Sequence, residues 1–384
     1  MSHTIEFERR ARDHLGELDR TEMRRSLQVP HGLSFCSNDY LGLATHPRVK
    51  EKMADAVRRD GCGSTGSRLL SGHHPAFTRL ERRFARWKGT ESALYFSSGY
   101  LANLGVLTTF LEEGDVVFSD ELNHASLIDG LRLAKVRRLV FRHGDVGDLA
   151  RLIERVDSEG QKFLVTESLF SMDGDEAPLA EYAALCRATN TALIVDEAHA
   201  VGIFGFRGSG LIEAAAIGAD VFLSINPAGK ALGVGGAFVA GPAWAIDYLI
   251  QRARTFIFST AAPPAMAAAL EAALDVIRDE PERRSRLLDL SVAARERLIE
   301  KGIEIGLGCS QIIPIIIGDT GQAVSVAHAL QLQGYDVRAI RPPSVAPGTC
   351  RLRLSINVNL EDRILEEFSV ALAEAIDRFA GVTA

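Results

Sequence analysis

Lys230 is the one charged side chain in the stretch INPAGKALGVGGAFVAG, which runs from Ile225 to Gly241. A lysine held between an apolar strand and a glycine turn is a candidate nucleophile for a carbonyl cofactor. The ordinary alternative is a long stem that carries its charge out to water. Other polar residues bear on the choice. Asp196 and His199 end the apolar run ALIVDEAH, and His124 follows DVVFSDELN. Ser171 follows FLVTESLF, and Ser97, Ser98, Gly99 and Tyr100 follow SALYF. Singly each is weak, because a strand-ending aspartate is usually a cap or turn residue and a lone histidine a packing residue. Taken together they form five polar strand exits. One of them, SSGYLAN, enters a helix, where unpaired backbone N–H groups suit an anion. An anion feature and a lysine feature on one edge are hard to ascribe to chance. GVGGAF is no dinucleotide fingerprint, since it precedes a strand instead of joining a strand to a helix.

The elements that must position these residues alternate. SALYF, DVVFS, FLVTES, ALIVDEAH, DVFLSI and GAFVAG are apolar on both faces, as strands of a covered parallel sheet are. LIDGLRLAKV and APLAEYAALCRATN between them have helical spacing, and this alternation predicts an open α/β sheet. In such sheets ligands sit beyond the carboxyl ends of the strands. Residues 1 to about 30 read as an amphipathic helical arm, followed by an extended, turn-rich stretch. PPAMAAALEAALDVIRDEPERRSRLLDLSVAARERLIEKG reads as helix, breaker, helix. QIIPIIIG, CRLRLSINV and a last helix make a small α+β domain. The expected boundaries are an arm at 1–40, a large α/β domain at 41–275 and a small domain at 276–384.

Composition sets the class. The 384 residues are 47% hydrophobic and 24% charged, with a net charge of −7. That balance is ordinary for a soluble globular protein and argues against nucleic acid or anionic membrane as partner. Five scattered cysteines, never spaced C-x-x-C, support neither a disulfide framework nor a metal site and fit a reducing cytoplasm. The charged N-terminus has no secretory apolar region, and no apolar run is long enough to span a bilayer.

In order, SNDYLGL, GSTGSRLLSG, SSGYLAN, NHASL, FSMDGD, DEAHAVG, GKALG and RPPSVAPGTCRLRLS resemble the α-oxoamine synthases over nearly the whole chain. SRLLSG and AIRPPSVAPGTCRLRL are most similar to the branch that condenses L-alanine with a pimeloyl thioester at the start of biotin-ring assembly. The resemblance implies pyridoxal-phosphate fold type I, the aspartate-aminotransferase-like architecture, with pyridoxal 5'-phosphate as cofactor. It implies that Lys230 carries the cofactor, that Asp196 pairs with its ring nitrogen and that His124 stacks on the ring. His199 and Ser171 would bond near the phenolic oxygen, and the Gly99–Tyr100 backbone would hold the phosphate. Asn38 and Arg353 would clamp the amino-acid carboxylate, and Arg24 and Ser344 would touch the acyl substrate. Ser259 and Thr260 would reach the phosphate of a neighbouring subunit in a homodimer. Arg351 and Arg341 are expected in structural salt bridges. In the implied reaction the lysine, freed by the amino acid, removes the α-proton. The resulting carbanion attacks the thioester and expels the thiol, and carbon dioxide then leaves. The acyl carrier would be coenzyme A or an acyl-carrier protein. A sister enzyme with another amino acid or acyl thioester is the alternative, ahead of a non-catalytic partner subunit.

Two positions depart from the family pattern. Three residues before the lysine, where a hydroxyl residue usually serves the phosphate, stands Pro227, with neither hydroxyl nor N–H. Asn226 or Ser224 could substitute. Phe77 stands where a histidine is common and is expected to be a packing change.

Overall fold

A computed structural model of the chain describes residues 2–306 and 308–380. The chain divides into two compact units, one formed by Asn38–Ser171 and Asp175–Leu287, the other by Met1–Ser37, Met172–Gly174 and Leu288–Ala384.

The larger unit is built on seven strands: β1 (Ser92–Phe96), β2 (Val116–Asp120), β3 (Arg137–Phe141), β4 (Lys162–Glu167), β5 (Thr191–Asp196), β6 (Val221–Pro227) and β7 (Ala237–Gly241). Their order is β1-β7-β6-β5-β4-β2-β3. All neighbours are parallel except those of β7, which is antiparallel to both β1 and β6. The link 228–236 is too short for the crossover of a dozen or more residues that a parallel pair needs. β3 has no counterpart among the expected strands. It is an edge strand that opens with Arg137 and Arg138, and such charges blunt a free edge.

Helix α1 (Gly99–Phe110) is apolar on nearly every side, which marks it for burial. Its Ala102, Val106 and Leu107 pack with Leu94, Phe96, Ile225 and Val239 of the sheet. Burying each large aliphatic or aromatic side chain there contributes about 1.5–3 kcal/mol, so the helix start that faces the strand ends is firmly placed. Helix α2 (Ala125–Ala134) follows His124 and packs on α1 through the contact of Gly130 with Leu107. Of the polar residues named above, Asp196 sits at the carboxyl end of its strand, and His124 and Lys230 follow theirs within four residues.

In the smaller unit the N-terminal helix covers Ser2–Arg20 and is shorter than the arm expected to residue 30. Glu22, at φ 54°, takes the left-handed conformation that stops a helix. Three antiparallel strands, Ala339–Ile340, Cys350–Ser355 and Ile312–Gly318, lie in that order beside helices Thr320–Leu332 and Asp362–Phe379.

Candidate active site

The carboxyl ends of β4, β5 and β6, the start of α1 and the turn into β7 enclose a cavity of 430 Å³. That lies within the range of about 300–1,000 Å³ usual for small-molecule sites. Asn38, Gly99, Tyr100, His124, Asp196, His199 and Lys230 all line it, so the structure gathers seven of the sequence-predicted residues around one space. A larger cleft, 540 Å³, lies elsewhere in the unit among Arg68, Arg82 and Glu91 and holds none of these groups.

Asp196 is buried and held from two sides. Its Oδ1 accepts the Ala198 N–H at 2.8 Å and its Oδ2 accepts Asn103 Nδ2 at 2.7 Å. Asn103 Nδ2 also donates to Ser126 Oγ at 2.8 Å, and Ser126 Oγ lies 2.7 Å from His124 Nδ1. With Oγ accepting from Asn103, its own proton goes to Nδ1, which also accepts the Ser126 N–H at 3.2 Å. Neutral His124 therefore carries its proton on Nε2. His124 stands exposed along the cavity wall, with its Nδ1 held against Ser126. Desolvation by the surrounding protein holds the imidazole below the usual histidine range, with Asp196 opposing and Lys230 reinforcing the shift.

Glu167, at the end of β4, pairs in register with Asp196 on β5. Its Oε1 accepts the His124 N–H at 2.6 Å. Complete burial, with the Asp196 charge alongside, pushes this carboxyl up to about 8, while Lys230 pulls the other way. Two neighbouring acids thus differ, Asp196 braced by donors and Glu167 favouring its protonated form. His199 is buried, and its Nδ1 lies 2.7 Å from Tyr40 Oη, which donates to Asn38 Oδ1 at 2.9 Å. Tyr40 therefore takes its hydrogen bond from the ring and passes its own proton to Asn38. Asn103, Ser126, Glu167 and Tyr40 escaped sequence reasoning.

Pro227 lines the cavity, and its ring abuts the start of α1: a Cβ added at Gly99 would lie 2.7 Å from Pro227 Cγ. Neither suggested substitute is directed there. Asn226 is buried, and its Nδ2 donates to Ser224 O at 3.1 Å and Ser224 Oγ at 3.0 Å. Hydroxyls at this end come instead from Ser97 and Ser98, the latter capping α1 by accepting the Leu101 N–H at 3.2 Å.

The remaining expected residues lie elsewhere. Ser171 is half-buried in the loop between Phe170 and Asp175 and is not among the groups lining the cavity. Ser259 and Thr260 line a small neighbouring pocket with Arg68, Phe77 and Ser97. Phe77 is fully buried, stacks on Tyr95 and carries Arg68 over its face, so its part is packing. Arg24, Ser344 and Arg353 belong to the smaller unit. There Arg353 is buried and donates to Ser355 Oγ at 2.7 Å, and Arg24 pairs with Asp19 at 2.7 Å. Arg351 pairs with Asp173 at 2.5 Å. The salt bridge expected for Arg341 is replaced, among the described residues, by backbone contacts: its guanidinium donates to the carbonyl of Glu22 and, at 3.5 Å, to that of Arg24.

The donor set suits pyridoxal phosphate. Helix α1 directs its first N–H groups toward an anion, Asp196 offers a carboxylate to a protonated ring nitrogen, and the Lys230 amine suits the carbonyl carbon. Among the described residues Asn103 Oδ1, buried in a side chain that lines the cavity, has no hydrogen-bond partner. Among the described residues no helix is long and apolar enough to cross a membrane.

The aminotransferase class I and II family matches residues 30–372. A relative from Anaeromyxobacter dehalogenans, named 8-amino-7-oxononanoate synthase, is 44% identical over 376 residues, 94% of each chain. One from Geobacter sulfurreducens with the same name is 44% identical over 88% of this chain and 87% of its own. Among solved structures, serine palmitoyltransferase of Sphingomonas wittichii is 30% identical, with a TM-score of 0.88 over 92% of this chain and 89% of that one. The 8-amino-7-oxononanoate synthase of Francisella tularensis is 27% identical, with a TM-score of 0.79 over 90% of this chain and 98% of its own. The chain belongs to the aminotransferase class I and II family and, within it, to the pyridoxal-phosphate-dependent α-oxoamine synthases.

Proposed function

We propose that the protein is an 8-amino-7-oxononanoate synthase, joining L-alanine to a pimeloyl thioester with loss of carbon dioxide and release of the thiol. The observation that carries the reading is the convergence of Lys230, Asp196 and His124 on one cavity, in a chain 44% identical over 94% of its length to a relative of that name. Serine palmitoyltransferase, with its TM-score of 0.88, supports a second reading in which another amino acid or acyl thioester is used.

Bound pyridoxal phosphate supplies an electron sink at the α-carbon of the amino acid. Lys230 Nζ would hold the cofactor and, as a free amine, would be the base that takes the α-proton. Asp196, fixed by the Ala198 N–H and Asn103, keeps the ring nitrogen protonated. His124, neutral and fixed in one tautomer, would stack on the ring without adding a charge that competes with the sink. Gly99 and Tyr100 offer backbone N–H groups to the phosphate. His199, with Ser171 in support, faces the phenolic oxygen. Asn38 and Arg353 bind the amino-acid carboxylate, the arginine with two parallel donors. Arg24 and Ser344 bind the acyl group, and Ser259 and Thr260 reach the phosphate of a second copy in a homodimer.

Thiol release from pimeloyl-CoA, and separately from the pimeloyl acyl-carrier protein, tests this with L-alanine, glycine or L-serine added in turn. Release that requires L-alanine and yields the C-acylated aminoketone is expected. Release only with another amino acid favours the second reading, and none with any combination refutes the assignment.

A further inference from the structure

His143 lies outside the cavity, yet both of its ring nitrogens are engaged. Nδ1 is 2.9 Å from Asp120 Oδ1, and Nε2 is 2.6 Å from Asp175 Oδ2. Ionised carboxylates only accept, so a ring that bonds two of them must donate from both nitrogens, and only the imidazolium can. The two aspartates belong to different loops. Asp120 ends β2 and opens the turn to His124, its Oδ1 accepting the Leu122 N–H at 2.9 Å and its carbonyl the Asn123 N–H at 3.3 Å. Asp175 closes the loop that holds Ser171, its carbonyl accepting the Phe170 N–H at 3.0 Å. The Phe170 ring meets the imidazole edge to face at 4.3 Å.

We propose that His143 is a positioning residue, one charged imidazolium that ties the turn presenting His124 to the loop carrying Ser171. The rest of its setting agrees. The His143 N–H donates to Glu121 Oε1 at 2.8 Å, and Asp120 Oδ2 accepts the Gly144 N–H at 3.1 Å. The buried Tyr182 hydroxyl, raised by burial and then by Asp120 among its neighbours, stays neutral beside the group. Burial would lower the imidazole, but its bonds to Asp120 and Asp175 raise it to about 10. The tie therefore holds throughout the physiological range and loosens only as pH rises through that value. The turn that presents His124 to the cavity and the loop that carries Ser171, on separate strand connections, then keep a fixed spacing across that range.

The proposal rests on the cofactor site assigned above. It is tested on the full-length, cofactor-loaded protein through the circular dichroism of the bound cofactor, a signal that needs no acyl donor and so stands apart from the substrate assignment. His143→Gln, which can donate from one end only, is expected to lose roughly half of that dichroic band and about tenfold in kcat, with KM for L-alanine moving less. A variant that melts earlier but keeps the wild-type band and kcat would overturn the proposal. Asp175→Asn should give an intermediate loss of the band, and no loss would likewise count against the tie. The third arm needs no variant: the ring NMR signals of His143 should show no titration between about pH 6 and 9, and a midpoint near the usual histidine value would contradict the clamp.

Discussion

Asp196 and Glu197 are adjacent, and each faces a lysine, with opposite results. Asp196 lines the cavity with Lys230. Glu197 and Lys88 form an ion pair with side chains 0% and 2% exposed. Lys88 Nζ also donates to the Ser209 carbonyl at 2.7 Å, and Glu197 Oε1 accepts the Ile212 N–H at 2.9 Å. Each charged end thus has a backbone partner besides the other, and the pair is closed to solvent. Lys230 is half-buried on the wall of a 430 Å³ space. Alternating side-chain direction at the end of β5 thus turns one acid to the cavity and the next into the interior. Under the proposed assignment, what distinguishes Lys230 from Lys88 is its open face on the cavity that Asp196 also lines.

The largest expected effect lies on the closed side. Lys88→Met strands the Glu197 carboxylate in the interior and should cost about 3–5 kcal/mol of stability in denaturant unfolding. Adding Glu197→Leu should restore much of it, and a Lys88→Met protein as stable as wild type would show that the pair is not closed. On the open side, Asn103→Ala removes the donor to Asp196 Oδ2 and the link to Ser126. A hydrogen bond to a charged group is worth about 1.5–3 kcal/mol, so kcat should fall about tenfold or more while folding is retained. Pro227→Thr should tighten cofactor binding several-fold in a fluorescence titration, because a hydroxyl then stands where a pyrrolidine ring now abuts Gly99. Glu167 gives an effect that is read only as a pH dependence. Its raised carboxyl keeps its proton in the folded protein at pH values where the unfolded chain has released it. Stability from this group is therefore fully present below the ordinary carboxylate range and is lost as pH rises through about 8. Glu167→Gln should flatten that part of the pH–stability curve of the cofactor-free protein.

The open side was the more legible in the sequence. Lys230, Asp196, His124 and Gly99 each stand where an apolar strand pattern breaks, and such breaks can be read from periodicity. Their supports could not be read the same way. Asn103 looks like one polar residue in an apolar helix, although its spacing of four from Gly99 puts both on one face. Glu167 ends FLVTE much as Asp196 ends ALIVD, and only the strand register reveals that they are neighbours. Lys88 and Glu197 are far apart in sequence, and Lys88 lies in the charge-rich RLERRFARWKGTE, where a solvated face is the normal expectation. β3 was hidden by its two arginines, and the reversed direction of β7 was written only in the length of one connection. The N-terminal arm was overextended because nothing in the apolar spacing marks the left-handed turn at Glu22.

The contrast between the two lysines is tested most directly by reducing the cofactor-loaded protein with borohydride and mapping the modified peptide by mass spectrometry. The pyridoxyl mass should appear on the peptide containing Lys230, in proportion to bound cofactor, with Lys88 unmodified. Modification of Lys88 or of any other lysine in place of Lys230 would contradict the assignment of the open site.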